Sequence, residues 1–143
     1  MDVLVDTSIW SLALRRRPGA LSDAEQLQAS ELAELVRGGR ARIIGVVRQE
    51  LLSGIASRVQ FENLRAALRA FPDEAIETDD YELAAEAGNT CRRLGIATSI
   101  SDMLICAVST KRSWSIFTGD TDYRAYARAL KINLHEARAT EPG

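Results

Sequence analysis

The sequence predicts an α/β fold in three layers, with helices on both faces of a short, mostly parallel central sheet. Three observations lead there. Short apolar runs, "DVLV", "ARII" and "WSIFT", stand far apart in the chain and are separated by segments with helical periodicity. Strands joined through helices of this length need crossover connections, which make the strands parallel and cover the sheet on both faces. Acids follow the first and last of these runs directly, as Asp6 and Asp120.

Taken in order, residues 2 to 5 form a strand that meets Asp6, Thr7 and Ser8 before "IWSLALRRR", the pattern of a strand feeding a capped helix. Ala29, Leu32, Ala33 and Val36 follow the spacing of one helical face, closed by Gly38 and Gly39. "ARII" is a second strand, with Gly45 as the hinge into the helix "VVRQELLSG". Phe61, Leu64, Leu68 and Phe71 mark another amphipathic helix, ended by Pro72. "EAIETD" reads as a weak third strand, after which Ala87, Cys91 and Leu94 stripe a long helix capped at Gly95. "SISDMLICAVSTKR" opens with capping residues and then runs apolar on every side, which predicts a buried central helix. "WSIFT" is a strand; Tyr123, Tyr126, Ala127 and Leu130 stripe the next helix, and "INL" reads as a last strand. Residues 1 to 136 are expected to form one domain, with 137 to 143 as a loose tail.

A chain of 143 residues, 46% of them hydrophobic, supports one domain with a real core and leaves little for a second. Eighteen Lys and Arg against twenty Asp and Glu leave a formal charge of -2, so an anionic substrate would need a local basic patch. The start resembles no secretory leader and no stretch reaches the length of a membrane span, so a cytoplasmic protein without membrane contact is expected. Cys91 and Cys106 fall on apolar helix faces and read as small buried hydrophobes, while the lone His135 rules out a His-rich site.

In a parallel sheet the carboxyl ends of the strands share one edge. Asp6 and Asp120 reach that edge from strands and Asp102 from the start of the buried helix. Singly, each reads well as a helix cap. Glu50 does not, because its neighbours at three and four residues are Val46, Val47, Ser53 and Gly54, none of them cationic. As a set, four or five carboxylates at one edge would repel by on the order of 10 kcal/mol at an effective dielectric near 20. That rivals the whole stability of a domain, about 5 to 15 kcal/mol. Acids gathered so need a cation, and an all-oxygen donor set selects a hard one, Mg²⁺ or Mn²⁺ in its place.

The order "VDTS" with Asp6, "RQEL" with Glu50, "SDMLICA" with Asp102 and "TGDTDY" with Asp120 and Asp122 resembles the PIN-domain ribonucleases, and among them the VapC-type toxins of toxin-antitoxin pairs. The likeness spans nearly the whole chain. It implies a catalytic quartet of Asp6, Glu50, Asp102 and Asp120, a metal held by Asp6, Asp102, Asp120 and Asp122, and a supporting role for the Thr118 hydroxyl. Tyr123 stands where many relatives have Phe, and Met103 where a small residue is common. The resemblance further implies endonucleolytic hydrolysis of RNA, with tRNA or rRNA as the expected class, a cognate antitoxin as partner, and a homodimer. The apolar stripes near 29 to 36 and 61 to 71 would serve as the antitoxin groove, or pack on each other. Arg15, Arg16 and Arg17 are the densest cationic cluster and the expected RNA contact, while Trp10 reads as core. The alternatives are a PIN-like binding module without catalysis and, less well supported, a Mg²⁺-dependent phosphotransferase or receiver domain. The phosphatase's Asp-x-Asp after the first strand and the receiver's lysine after a late strand are both missing.

Overall fold

Val3–Val5 (β1) is wholly buried and lies between two parallel neighbours, Ala41–Arg42 (β2) and Ser115–Phe117 (β3). The computed structural model describes residues 1–15 and 18–138. In that structure Val3 pairs with Ala41 and Ser115, Leu4 with Arg42 and Ile116, and Val5 with Phe117. An uninterrupted apolar strand is what a two-sided burial requires. The sheet is short because each strand gives way within a few residues to a helix: α1 (Thr7–Leu14) after β1, α3 (Gly45–Leu52) after β2 and α7 (Asp122–Ala129) after β3.

The remaining helices are α2 (Asp23–Arg37), α4 (Arg58–Leu68), α5 (Thr78–Arg93) and α6 (Ile100–Lys111). One set, α1 with α2 and α3, and α3 with α4, packs together; α5 packs along α6 and against α7. This is the expected α/β/α sandwich. Helix α6, buried from Met103 to Ser109, crosses β1 and β3 and carries the largest share of the core beside the strands. Trp10 is buried, with its indole Nε1 donating to the Val5 carbonyl at 3.1 Å and its ring 4.9 Å from Phe71. Cys91 and Cys106 are free and buried.

Four expectations change. "EAIETD" is no strand, since Asp73 makes a single parallel bridge to Ile43 before the Glu77 amide bonds the Asp80 carboxylate at 2.9 Å and starts α5. "INL" likewise contributes one bridge, Leu134 to Ile116, among the described residues. On α2 the buried positions are Glu31, Leu32 and Leu35, with Ala33 and Val36 exposed, because the face that meets α1 is turned from the one the small residues marked. Leu94 is exposed because α5 stops at Arg93 and Gly95, at φ +74°, turns the chain away.

Far from the acids, Arg112 clamps the end of α6. Its guanidinium donates to both oxygens of the fully buried Asp80 at 3.0 and 3.1 Å, to Glu74 at 2.8 Å and to the Ala75 carbonyl at 2.9 Å. Arg112 holds the Asp80 carboxyl at about 2, below its unfolded value near 4, so this contribution is complete above pH 4 and fades as pH falls toward 2. Arg112→Ala strands a buried carboxylate and is expected to lower unfolding free energy by about 3 to 5 kcal/mol. Urea unfolding at pH 7 measures it; a loss below about 1 kcal/mol would mean that the clamp is dispensable.

Candidate metal centre

At the carboxyl edge of the sheet, the Asp6 amide donates to the Phe117 carbonyl at 2.8 Å, which extends the β1 and β3 pairing by one residue. Asp6 precedes α1 but its side chain makes no capping hydrogen bond to the helix. Its Oδ2 instead accepts two hydroxyls, Thr118 Oγ1 at 2.8 Å and Ser8 Oγ at 2.9 Å. Each hydroxyl in turn accepts a backbone amide of the next loop, Asp120 N at 3.0 Å on Thr118 and Gly119 N at 2.9 Å on Ser8. A hydroxyl that accepts from an amide is oriented to donate onward, so the loop after β3 holds Asp6 through two fixed relays.

Asp102 lies in the first turn of α6, where Ser99 is the cap and accepts the Asp102 amide at 3.1 Å. The Asp102 carboxylate is therefore free of capping duty. It accepts Tyr123 Oη at 3.2 Å and Tyr126 Oη at 2.7 Å, one on each oxygen. Both tyrosines are buried on α7 with their rings edge to face at 5.1 Å. Burial and the nearby carboxylates push both hydroxyls well above the ordinary tyrosine value, so they stay protonated and act as donors.

Glu50 projects from α3 as an exposed side chain. Thr7 Oγ1 lies 3.5 Å from its Oε1. Partial burial raises its pKa, and the negative charges of Asp6 and then Asp102 raise it further. Asp6 is raised chiefly by burial, opposed by the Thr118 and Ser8 hydroxyls, with Asp102 adding to the rise. Asp6, Glu50 and Asp102, from three distant segments, thus share one field. Asp120 is exposed and its Oδ1 accepts the Asp122 amide at 2.9 Å, two residues on, which ties the carboxylate to the turn that enters α7. Asp122 is exposed in the first turn of that helix; both it and Asp120 add to the rise at Tyr126.

The donor chemistry fits a hard divalent cation, with carboxylate and hydroxyl oxygens and neither imidazole nor thiolate at the acids. His135 is engaged elsewhere, its Nε2 2.9 Å from Glu31 Oε1. Among the described residues no three Asp, Glu, His or Cys side chains form a ready cage, since the acids are held apart on their own hydrogen bonds. Sequence reasoning named Asp6, Glu50, Asp102, Asp120, Asp122 and Thr118; it passed over Ser8, Tyr126 and the donor role of Tyr123. The spacing Asp6-Thr7-Ser8 reads as helix capping and the tyrosines as an apolar stripe, because neither pattern shows which carboxylate a hydroxyl will face once the chain is folded. Of the expected RNA contacts, Arg15 ends α1 about 13 Å along the helix from Asp6 by helical rise, and Arg16 and Arg17 lie outside the described residues.

A family model for the PIN domain matches residues 3–129. The chain belongs to the PIN domain family. Its fold is similar to that of FitAcB from Neisseria gonorrhoeae (TM-score 0.73, 16% identity, 94% of this chain and 97% of that one). It is similar also to VapBC2 from Rickettsia felis bound to a DNA fragment from their promoter (TM-score 0.71, 16% identity, 94% and 98%). A toxin-antitoxin complex from Klebsiella pneumoniae aligns with a TM-score of 0.59 at 19% identity over 84% of this chain and 88% of that one. Comparison with curated proteins gives no match.

Two predictions follow from the electrostatics. A carboxylate with a raised folded pKa costs stability as pH rises through the window between its unfolded value, about 4, and its folded one. In EDTA, Asp6→Asn should therefore melt higher than the unmodified chain at pH 7, with the gap closing toward pH 4; equal melting at pH 7 would show that Asp6 carries no strain. In a spectrophotometric titration two of the three tyrosines should stay silent beyond pH 11, about one unit above the ordinary value, until the chain unfolds. Titration of all three in the folded state would contradict the bonds to Asp102.

Proposed function

We propose that this chain is a divalent-metal-dependent endoribonuclease of the VapC type, the toxin of a toxin-antitoxin pair. The observation that carries the reading is the shared field of Asp6, Glu50 and Asp102, three acids from remote segments on a PIN fold. Asp6 and Asp102 would hold Mg²⁺, or Mn²⁺ in its place, with Asp120 and Asp122 completing the oxygen donors. When bound, the ion lowers the pKa of a water and offsets charge on the attacked phosphate.

The chain supplies the rest. Ser8 and Thr118 fix the Asp6 carboxylate and Tyr123 and Tyr126 fix that of Asp102, so both oxygen pairs are oriented before substrate arrives. Glu50, exposed and with a pKa raised by partial burial and then by the charges of Asp6 and Asp102, would orient the attacking water and accept its proton. In-line attack leaves a 5′-phosphate and a 3′-hydroxyl. Solved neighbours of this fold include complexes described as toxin-antitoxin, and a cognate antitoxin is the partner we assign to this chain; a homodimer fits the same reading. The residues first expected to form the antitoxin groove are in part unsuitable, because Leu32, Leu35, Leu64 and Leu68 are buried in the chain's own core. The runner-up is a PIN-fold binding module without catalysis, favoured by the occupied oxygens of Asp102.

The test incubates purified protein with total cellular RNA in Mg²⁺ or in EDTA and sequences the product ends. Metal-dependent cuts are expected, falling by roughly 100-fold or more in Asp6→Asn and Asp102→Asn. RNA retained without cuts would replace the nuclease with the binding module.

A further inference from the structure

Beside the acids, across the loop after β3, lies a cleft of about 190 Å³ walled by Gln28 of α2, Thr118, Gly119 and Asp120 of the loop, Arg124 of α7, and His135. Two of its polar side chains are unspent among the described residues. The Arg124 guanidinium, exposed to solvent, has no hydrogen bond or ion pair among the described residues, and neither has the half-buried amide of Gln28. The wall opposite is held firmly: His135 bonds Glu31, lies edge-on to the buried Phe117 at 5.3 Å, and donates its amide to the Ile116 carbonyl at 2.7 Å. Gly119 leaves the Gln28 amide uncovered, since a Cβ there would sit 3.4 Å from Gln28 Nε2 and 3.7 Å from Ser8 Oγ. The same Ser8 hydroxyl bonds Asp6, so the cleft adjoins the first acid through a single residue.

We infer that this cleft is a nucleotide subsite, in which Arg124 pairs a phosphate next to the one cut and Gln28 reads the edge of its base. The inference rests on the ribonuclease reading and deepens it. Single-stranded RNA is recognised by a cation on the backbone together with groups that donate and accept at an exposed base edge. A primary amide does both, and a guanidinium serves the phosphate. An acidic peptide would engage Arg124 equally well and its backbone could pair the amide, so the position of the cleft beside Asp120 and the Asp6 relay is what favours RNA over a peptide. The position also answers the charge of the site, because Arg124 follows Asp120 by one helical turn and borders the acids, whereas Arg15 stands at the far end of α1.

Fluorescence anisotropy of labelled A, C, G and U homo-oligomers, measured in EDTA across a salt series, tests this without any cutting. Arg124→Ala should weaken all four by about tenfold and reduce the salt slope by about 0.7, the value for one single-strand phosphate contact. Gln28→Leu should leave the slope alone and change the ranking of the four bases. Both positions are at the surface, and unchanged melting temperatures verify folding. Variants that bind like the unmodified chain at every salt would overturn the subsite, as would an unmodified chain that binds none of the oligomers. So would Arg124→Ala losing affinity for poly-glutamate while keeping RNA, which would assign the cation to an acidic peptide. RNA bound with these signatures yet uncut in Mg²⁺ would sink the nuclease and keep the subsite; cutting with unchanged binding in both variants would do the reverse.

Discussion

The pairing of Val5 with Phe117, continued by the Asp6 amide onto the Phe117 carbonyl, is the constraint on which the candidate site depends. It sets the end of the first strand against the loop that follows the last. Through it, Ser8 and Thr118 meet at one carboxylate oxygen, and the amides of Gly119 and Asp120 orient both hydroxyls. A slip of one residue between β1 and β3 would turn every side chain to the opposite face and dissolve this junction.

Strain and stability are divided between the two ends of α6. At its start, Asp102 feels the charge of Asp6 and Glu50 and is steadied by tyrosine hydroxyls. At its end, roughly 15 Å away by helical rise, Arg112 binds Asp80 and Glu74 in a partly buried ion network. Screening makes that distance long. The network can anchor the helix without neutralising the acids, which keep their unbalanced charge.

The arginines are distributed by the same logic. Most are spent on structure: Arg48 ties Asp73 and the Leu68 carbonyl, Arg42 pairs Asp2, and Arg65 pairs Glu62. Counting cations along the chain selects the run at 15 to 17, because clustering in sequence is the only visible signal. In space, among the described residues, Arg124 is a free guanidinium beside Asp120, on a polar helix face.

The strands, the buried helix and the acidic residues were legible because each follows from local chemistry. An all-apolar run cannot be solvated, a helix apolar on every side must be central, and Glu50 stood out for want of a cationic neighbour. What failed were marginal elements: "EAIETD" and "INL" have strand composition, but a lone bridge is all their surroundings offer. The side-chain partners were also invisible. Nothing in "SDMLICA" states that two tyrosines twenty-one and twenty-four residues later will donate to Asp102, nor in "VDTS" that Thr118 will reach Asp6 across 112 positions. By itself the amino-acid order determined which residues must be buried and which kinds of acid stand at strand ends, since both depend on each segment's own hydrophobicity and caps. Only the folded chain decided which hydroxyl faces which carboxylate, because hydrogen bonds act over about 3 Å and that proximity is made by the register of the sheet.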